Sequence, residues 1–214
     1  MYVFESEDSQ YVLKFFDREK LQFPWYVCLP FGAIQRKKER IAEKMRIYPK
    51  SYKLAFQSMR EETGLVIVHM GRTTRKYPVV QLVNRAAHRY VVDLNTVPFI
   101  VQKKGTSNFL FASDPQSAID QFLAIHEKRI RCKIADLDTD IYHNYSWNKD
   151  RLLYIDPARF FYEDNLLSPE RLSQEWYQTT LPVRDWLQQH ASHELTAFDQ
   201  KVALCIQRCS FVQH

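Results

Sequence analysis

The chain has 214 residues, of which 45% are hydrophobic, 14% aromatic and 26% charged. This composition is ordinary for a globular protein of one or two domains. Only 4 glycines are present, which argues against Rossmann folds, P-loops and other folds built on a glycine-rich phosphate loop. No apolar run approaches the roughly 20 residues that cross a bilayer, and no secretory signal is recognisable. The sequence therefore predicts no membrane partner.

The net charge of +5 is concentrated in one segment. Between Arg36 and Lys53 there are eight basic and two acidic residues, which gives this segment alone a charge of +6. Such a stretch is either the solvated face of a helix or a surface that attracts phosphates and acidic partners. It supports one alternative for the whole chain, a non-enzymatic α+β interaction protein that uses this basic helix face (36–53) on nucleic acid or an acidic partner.

The four cysteines include no Cys-x-x-Cys pair, which argues against a zinc ribbon or a thioredoxin motif. Cys205 and Cys209 lie one helical turn apart and are predicted to be buried, reduced thiols. Reduced thiols and the lack of a recognisable secretory signal together predict a cytoplasmic protein.

The first 105 residues are predicted to be rich in antiparallel strands. A hairpin is expected at 2–4 and 11–16, and the proline-containing segment 17–32 is expected to be irregular. Helices are predicted over 33–48 and 51–63, with Ser51 capping the second and Gly64 ending it. Strands are predicted over 65–70, 79–83, 89–94 and 97–102.

The remaining residues are predicted to be mainly helical. A capping box at Ser113–Gln116 opens a long helix whose apolar stripe includes His126, which is predicted to be a satisfied core histidine. A polar loop is expected over 135–151, a short strand over 152–156, and helices beginning at Ser168, Pro182 and Ser192. The predicted class is α+β, with a β-rich N-terminal lobe (1–105) and a reduced, mainly helical C-terminal lobe (106–214).

Lys14 and Asp156 are the first candidate functional residues. Lys14 is the only charge in Val12-Leu-Lys-Phe-Phe16, and an unpaired buried ammonium is costly, so it must lie on a sheet edge or point into a cleft. Asp156 ends an apolar strand and precedes a proline. A carboxylate in that position is either a turn cap or a ligand for a divalent cation.

The segment 135–144, upstream of Asp156, contains three aspartates and ends in asparagine. Asp138, and after it Asp140, are candidate catalytic carboxylates, and Asn144 is a candidate additional metal ligand. The alternative is that this segment is a solvated acidic loop, which would repel itself unless cations approach.

The order of these candidate residues along the chain resembles that of the protein-kinase-like superfamily, which includes small-molecule phosphotransferases. The resemblance covers roughly residues 1–165. Lys14 resembles the strand lysine that pairs with the ATP phosphates, and Glu39 or Glu43 on the following helix resembles its ion-pair partner. Residues 97–105 resemble the last strand of the small lobe and the hinge. The resemblance implies a two-lobed kinase-like fold with ATP and Mg²⁺ as cofactors.

The same resemblance assigns roles in the second lobe. The segment from Asp138 to Asn144 resembles the catalytic loop, in which Asp138 would orient or deprotonate an acceptor hydroxyl. Asp156 resembles the metal-binding aspartate, with Asn144 as the second metal ligand.

The sequence also departs from the family pattern. No glycine-rich loop precedes Lys14, Asn144 follows Asp138 by six residues rather than five, and Pro-Ala follows Asp156 in place of Phe-Gly. These departures leave two interpretations open. One is an enzyme that binds ATP and Mg²⁺ and transfers phosphate; the other, which they favour, is a pseudokinase-type module that binds a nucleotide or a protein partner. Neither interpretation needs nucleic acid.

Overall fold

A computed structural model describes residues 1–16, 32–84, 86–106 and 114–211. Within these residues the fold is mixed α+β, with antiparallel sheets and five α-helices. The strands are β1 (Tyr2–Glu5), β2 (Tyr11–Phe15), β3 (Leu65–His69), β4 (Val79–Val83), β5 (Arg89–Asp93), β6 (Phe99–Lys103), β7 (Ile134–Asp136), β8 (Tyr145–Asn148), β9 (Arg151–Tyr154) and β10 (Phe160–Tyr162). The helices are α1 (Gly32–Ser58), α2 (Arg60–Thr63), α3 (Pro115–Arg131), α4 (Pro169–His190) and α5 (Leu195–Ser210), with a 3₁₀ turn at Ser192–Glu194.

The largest sheet has four antiparallel strands in the order β1-β2-β6-β3. β2 is an inner strand, and Lys14 is paired with Val3 on one side and with Ile100 on the other. The interpretation of Lys14 as an edge-strand lysine is therefore wrong. The predicted strands 79–83 and 89–94 form a separate two-stranded hairpin, β4–β5. Nearly all of the predicted irregular segment 17–32 lies outside the described residues.

The predicted break between two helices near residue 50 is wrong. α1 continues through Pro49 to Ser58, although a proline inside a helix removes one backbone donor. Ser51 does not cap a helix, because its buried hydroxyl donates to the carbonyl oxygen of Phe160 at 2.6 Å. That bond anchors α1 to β10. The predicted stop at Gly64 is confirmed, since its left-handed backbone (φ +63°) ends α2.

Two predictions for the second half are corrected. Pro182 lies inside α4 rather than at the start of a helix. Residues 135–151 are not one loop, because β7 ends and β8 lies within this range. The helix predicted from the capping box is present as α3, with the Asp114 side chain accepting from the backbone N–H of Ser117. Ser113 lies outside the described residues.

The buried apolar cluster contains residues from both predicted lobes. Its members from the first 105 residues include Tyr52, Met59, Leu65 and Ile100, and its members from the later residues include Phe122, Tyr154, Phe160, Leu172, Trp176 and Phe198. The boundary between 105 and 106 remains a prediction. At that point the chain lies directly on β8, since a Cβ added to Gly105 would lie 2.0 Å from the Ser146 hydroxyl oxygen.

The two C-terminal cysteines, Cys205 and Cys209, are buried free thiols, as predicted. Within the described residues, no helix is both long enough and apolar enough to span a membrane.

Candidate functional site

The β7–β10 ladder brings the acidic loop next to Asp156. Asp136, at the end of β7, pairs with Phe160, at the start of β10. In an antiparallel pair, the residues that follow one strand leave the ladder at the same end as the residues that precede the other. Asp138 therefore lies near the segment that contains Asp156, and the Nε of Arg159 is 3.8 Å from Asp138 Oδ2.

The β8–β9 hairpin brings Asn144 to the same place. Tyr145 at the start of β8 pairs with Tyr154 at the end of β9. The pairing continues past the strand ends, because the backbone N–H of Ile155 donates to the carbonyl oxygen of Asn144 at 2.7 Å. Two short ladders thus place Asn144 opposite Ile155, the residue before Asp156, and near the loop that carries Asp138.

Lys14 reaches this group from the four-stranded sheet. Its Nζ donates to the carbonyl oxygen of Ile155 at 2.9 Å, and the residue is 9% exposed. Burial lowers the pKa of Lys14, and the negative charge of the nearby Asp156 partly opposes that shift. The buried Lys14 ammonium therefore contacts the backbone of the residue before Asp156 and lies within electrostatic reach of that carboxylate.

Two tyrosines of α1 border the carboxylates. The hydroxyl of Tyr52 donates to Asp156 Oδ1 at 2.9 Å, which fixes one oxygen of this carboxylate. Burial raises the pKa of Tyr48, and the charges of Asp156 and Asp138 add to the rise while Arg159 opposes it. Tyr48 is thus within electrostatic reach of both carboxylates.

The acidic loop is stabilised by its own backbone. The carboxylate of Asp136 accepts from the N–H of Asp138 at 2.9 Å, and the carboxylate of Asp138 accepts from the N–H of Asp140 at 3.2 Å. The carboxylate of Asp140 accepts in turn from the N–H of Tyr142 at 2.8 Å and of His143 at 3.1 Å. Each of these three aspartates therefore accepts hydrogen bonds from backbone N–H groups two or three residues later in the chain. These bonds offset the mutual repulsion of the carboxylates.

The two candidate catalytic carboxylates differ in their surroundings. Partial burial would raise the pKa of Asp140, but hydrogen bonds from the His143 side chain and from the backbone outweigh it and lower that pKa. Asp140 is bound to the exposed His143 ring at 2.7 Å. Asp138 lies beside Arg159 and is within reach of Tyr48. Asp138 is therefore the carboxylate that shares a site with Asp156.

A buried hydroxyl connects the candidate residues. The Tyr154 hydroxyl donates to Asp136 Oδ2, and it lies 3.2 Å from the carbonyl oxygen of Asp138. Asn144 Nδ2 donates to that hydroxyl at 3.3 Å and to the same carbonyl oxygen at 3.2 Å. We call Asp136, Tyr154 and Asn144, with the backbone of Asp138, the tyrosine hub.

An ion pair beneath the tyrosine hub holds β7. Arg129 is fully buried and bridges to Glu175 at 2.6 Å, to the carbonyl oxygen of Ile134 at 2.8 Å and to the Thr179 hydroxyl at 3.0 Å. The Glu175 carboxylate accepts from the backbone N–H of Asp136 at 3.3 Å. The position of β7, and hence of the loop after it, depends on this pair.

His126 is part of the same network. Its Nδ1 accepts from Arg129 Nε at 3.1 Å, so the ring proton is on Nε2, which bonds to the Tyr145 hydroxyl. Burial and the charge of Arg129 keep the pKa of His126 well below its usual value, so the ring is neutral. The prediction of a satisfied core histidine is confirmed.

Asp136 is expected to make stability depend on pH. Burial raises its pKa to about 6, against 3.8 when unfolded, although Arg129 and the Tyr154 hydroxyl favour the charged form. Because the folded-state pKa is the higher one, the stabilising contribution is present below pH 4 and is lost as pH rises through 6. Between pH 4.5 and 7.5 the loss is about 2 kcal/mol.

The measurement is urea unfolding of the wild-type chain and of Asp136→Asn at several pH values. As the pH rises from 4.5 to 7.5, the free energy of unfolding of the wild type should fall by about 2 kcal/mol relative to that of Asp136→Asn. Asp150→Asn, at an exposed turn residue, is the control. A flat difference for Asp136→Asn would show that the carboxyl titrates normally.

The predicted glutamate partners of Lys14 remain predictions. Glu43 is exposed, and the side chain of Glu39 lies outside the described residues. Among the side chains that the structure describes, no three His, Cys, Asp or Glu residues form a group that could hold a metal ion. Any cation at Asp156 would thus need oxygen ligands from Asn144, water or a bound phosphate.

Compared with known proteins, the chain matches no family model, no curated protein and no solved structure.

Sequence reasoning missed several residues of the site. Asp136 and Arg129 were passed over because charged residues are rarely fully buried, and the two tyrosines Tyr52 and Tyr154 because their apolar neighbours indicated only core packing. One available signal was the apolar run Ile134-Ala135 before Asp136, since a carboxylate that ends a short apolar strand is predicted to be buried on one side.

Proposed function

We propose that the chain is a divergent kinase-like protein that binds a nucleotide together with Mg²⁺ between the four-stranded sheet and the β7–β10 segment. The observation that carries this proposal is the convergence of Lys14 with Asp156 and the acidic loop. Phosphate recognition and charge neutralisation require such a combination of one fixed cation and neighbouring metal-binding oxygens.

The side chains present fit such a ligand. An ammonium has three N–H donors, and one of those of Lys14 is used on Ile155, so the others can serve phosphate oxygens. Asp156 has one carboxylate oxygen on Tyr52. Both hydrogens of the Asn144 amide are used within the tyrosine hub, so its oxygen is the atom suited to a cation. When bound, Mg²⁺ would neutralise phosphate charge.

The proposed activity is binding rather than efficient phosphate transfer. Asp138 has the position of a carboxylate that could orient an acceptor hydroxyl, but Arg159 lies 3.8 Å from it and competes for the same oxygen. A pseudokinase-type role is consistent with this competition.

Thermal unfolding with ATP and MgCl₂ tests the proposal. A ligand that binds only the native state raises its stability, by about 2.7 kcal/mol at a concentration of 100 times Kd. We expect the wild-type midpoint to rise. Lys14→Met and Asp156→Asn should abolish the rise. Lys14→Met should lower the midpoint without ligand only slightly, because the lost bond to the Ile155 carbonyl oxygen is offset by removing the cost of burying an ammonium.

The matched controls change the same residue types at exposed positions. Lys103→Met on the neighbouring strand β6 and Asp150→Asn in the β8–β9 turn should keep the full rise. A rise of equal size in Lys14→Met and Asp156→Asn would place any nucleotide elsewhere, and no rise in the wild type would reject the proposal. Loss of ATP hydrolysis in Asp138→Asn, with binding intact, would show an enzyme instead of a binding module.

The basic helix face remains an alternative that the structure does not favour. Arg46, Lys50 and Lys53 are exposed on α1, which agrees equally with a solvated helix surface. Most of the other side chains between 36 and 45 lie outside the described residues.

A further inference from the structure

The β4–β5 hairpin presents three valines to solvent, on a face that they share with Gln81, Arg89 and Asp93. Val79, Val83 and Val91 are 61%, 54% and 74% exposed. Their register places them on one face, because Val91 pairs with Gln81, which lies between the other two valines on β4. The opposite face is the one turned to the protein, since Leu82 is 8% exposed.

The β4–β5 hairpin also has unpaired strand edges. β4 and β5 form a two-stranded sheet, and among the described residues no third strand pairs with either. The backbone N–H groups of Leu94 and Asn84 donate to the carbonyl oxygens of Pro78 and His88. These two pairs are therefore hydrogen-bonded pairs, and hydrogen-bonded and non-hydrogen-bonded pairs alternate between them. It follows that the outward backbone groups of β4 belong to Val79, Gln81 and Val83. An edge with exposed apolar side chains is a template for another strand.

The surroundings of the hairpin are basic. Between residues 71 and 93 the exposed residues Arg72, Arg75, Lys76 and Arg89 are opposed by Asp93 alone among the described positions. Asp93 is engaged by Asn95, whose backbone and side-chain nitrogens donate to it at 2.9 and 2.8 Å.

The basic loop before β4 is fixed in place next to the hairpin. Asn95 Oδ1 accepts from the backbone N–H groups of Lys76 and Tyr77 at 2.9 Å each. A rigid, positively charged loop thus lies at one end of the exposed valine face.

We propose that the outer edge of β4 binds an extended, acidic polypeptide segment, which adds a strand to the hairpin and places alternate apolar side chains on the valine face. Backbone pairing provides affinity in this mode, and side-chain contacts with charge complementarity provide selection. A polypeptide is favoured over single-stranded nucleic acid for two reasons. The apolar side chains of this face are all valines, which offer bases no aromatic surface for stacking. Nucleic acid also has no backbone amide groups to pair with a strand edge.

The test is fluorescence anisotropy of a labelled peptide, Glu-Val-Glu-Val-Glu-Val-Glu, with the full chain at low salt. We expect saturable binding that Val91→Glu weakens about tenfold, because it removes apolar contact and adds like charge. The same peptide with N-methylated valines keeps its charge but cannot pair as a strand, and it should not bind. Val91→Glu changes an exposed side chain, so its thermal midpoint should match the wild type.

Charge specificity is tested with two variants of equal net charge. Arg72→Glu with Arg89→Glu should weaken peptide binding about tenfold, whereas Lys50→Glu with Lys53→Glu on α1 should change it less than about twofold. Equal effects of the two variants, equal binding of the N-methylated peptide, or no saturable binding would overturn the proposal. Tighter binding of a single-stranded oligothymidylate, sensitive to Val91→Glu, would overturn it in favour of nucleic acid.

Discussion

Arg129→Met is expected to destabilise the fold by about 3 kcal/mol, because the buried Glu175 carboxylate then keeps only the partly exposed Arg171, at 2.8 Å, as a cationic partner. Glu175 is 1% exposed and Arg129 is fully buried, so water cannot replace the lost contacts. The variant also removes the donors to Ile134 and Thr179 and the positive charge that favours ionised Asp136. Urea unfolding at pH 7, monitored by circular dichroism, measures the loss.

Two further variants separate the ion pair from simple packing. The double variant Arg129→Met with Glu175→Met should recover much of the stability, because an apolar pair avoids the cost of burying a single charge. Arg184→Met breaks a solvent-exposed pair with Asp199 and should leave the unfolding midpoint unchanged. Equal losses of stability in the single and double variants would show that the two side chains stabilise the fold by packing and not by their charges.

The long, regular elements were predictable from sequence because local patterns determine them. β2, β4, β5 and β6 each contain β-branched residues between turn signals, and all but β4 also contain an aromatic residue. The apolar stripe of α3 repeats at helical spacing. Proline misled the prediction in both α1 and α4, since Pro49 and Pro182 lie inside helices. Tertiary packing outweighs the cost of a proline there; Ser51, next to Pro49, is bound to Phe160 of another element.

The short strands were not predictable. β7 and β10 have three residues each, too few to show an alternation of two residues. Their existence depends on pairing with each other across more than 20 positions in the sequence. These two strands and the β8–β9 hairpin bring Asp138, Asn144 and Asp156 together. The candidate residues were therefore identifiable by type and order, whereas the geometry that joins them follows from non-local pairing.

The burial of charged side chains explains why part of the site could not be predicted from the sequence. Sequence patterns treat Arg129 and Asp136 as surface residues, because charged residues are seldom fully buried without a partner. Here they form one network with Glu175 and the Tyr154 hydroxyl. Partners that lie 18 and 46 positions away in the chain cannot be inferred from spacing, so Tyr154 becomes recognisable as part of the site only in the folded chain.

Tyr154→Phe is expected to weaken the stabilisation by ATP and Mg²⁺ while the fold is kept. Phenylalanine fills the same volume, but Asn144 and Asp136 lose the hydroxyl that holds them. The lost hydrogen bonds to a buried carboxyl should cost about 1–3 kcal/mol of folding stability. Because Asn144 is the proposed cation ligand, the affinity for ATP with Mg²⁺ should fall about tenfold or more. The affinity for ATP without the metal should change little. Isothermal titration calorimetry with and without MgCl₂ measures both affinities.

Tyr145→Phe is the matched control for this prediction. Tyr145 pairs with Tyr154 across the β8–β9 ladder and is also buried, but its hydroxyl bonds to His126. Losing it should destabilise the fold to a similar degree and leave the metal-dependent part of nucleotide binding unchanged. If both variants lose nucleotide affinity equally, the tyrosine hub has no specific role in positioning Asn144. If neither does, Asn144 is positioned without Tyr154, because its bond to the Asp138 carbonyl oxygen would then hold it unaided.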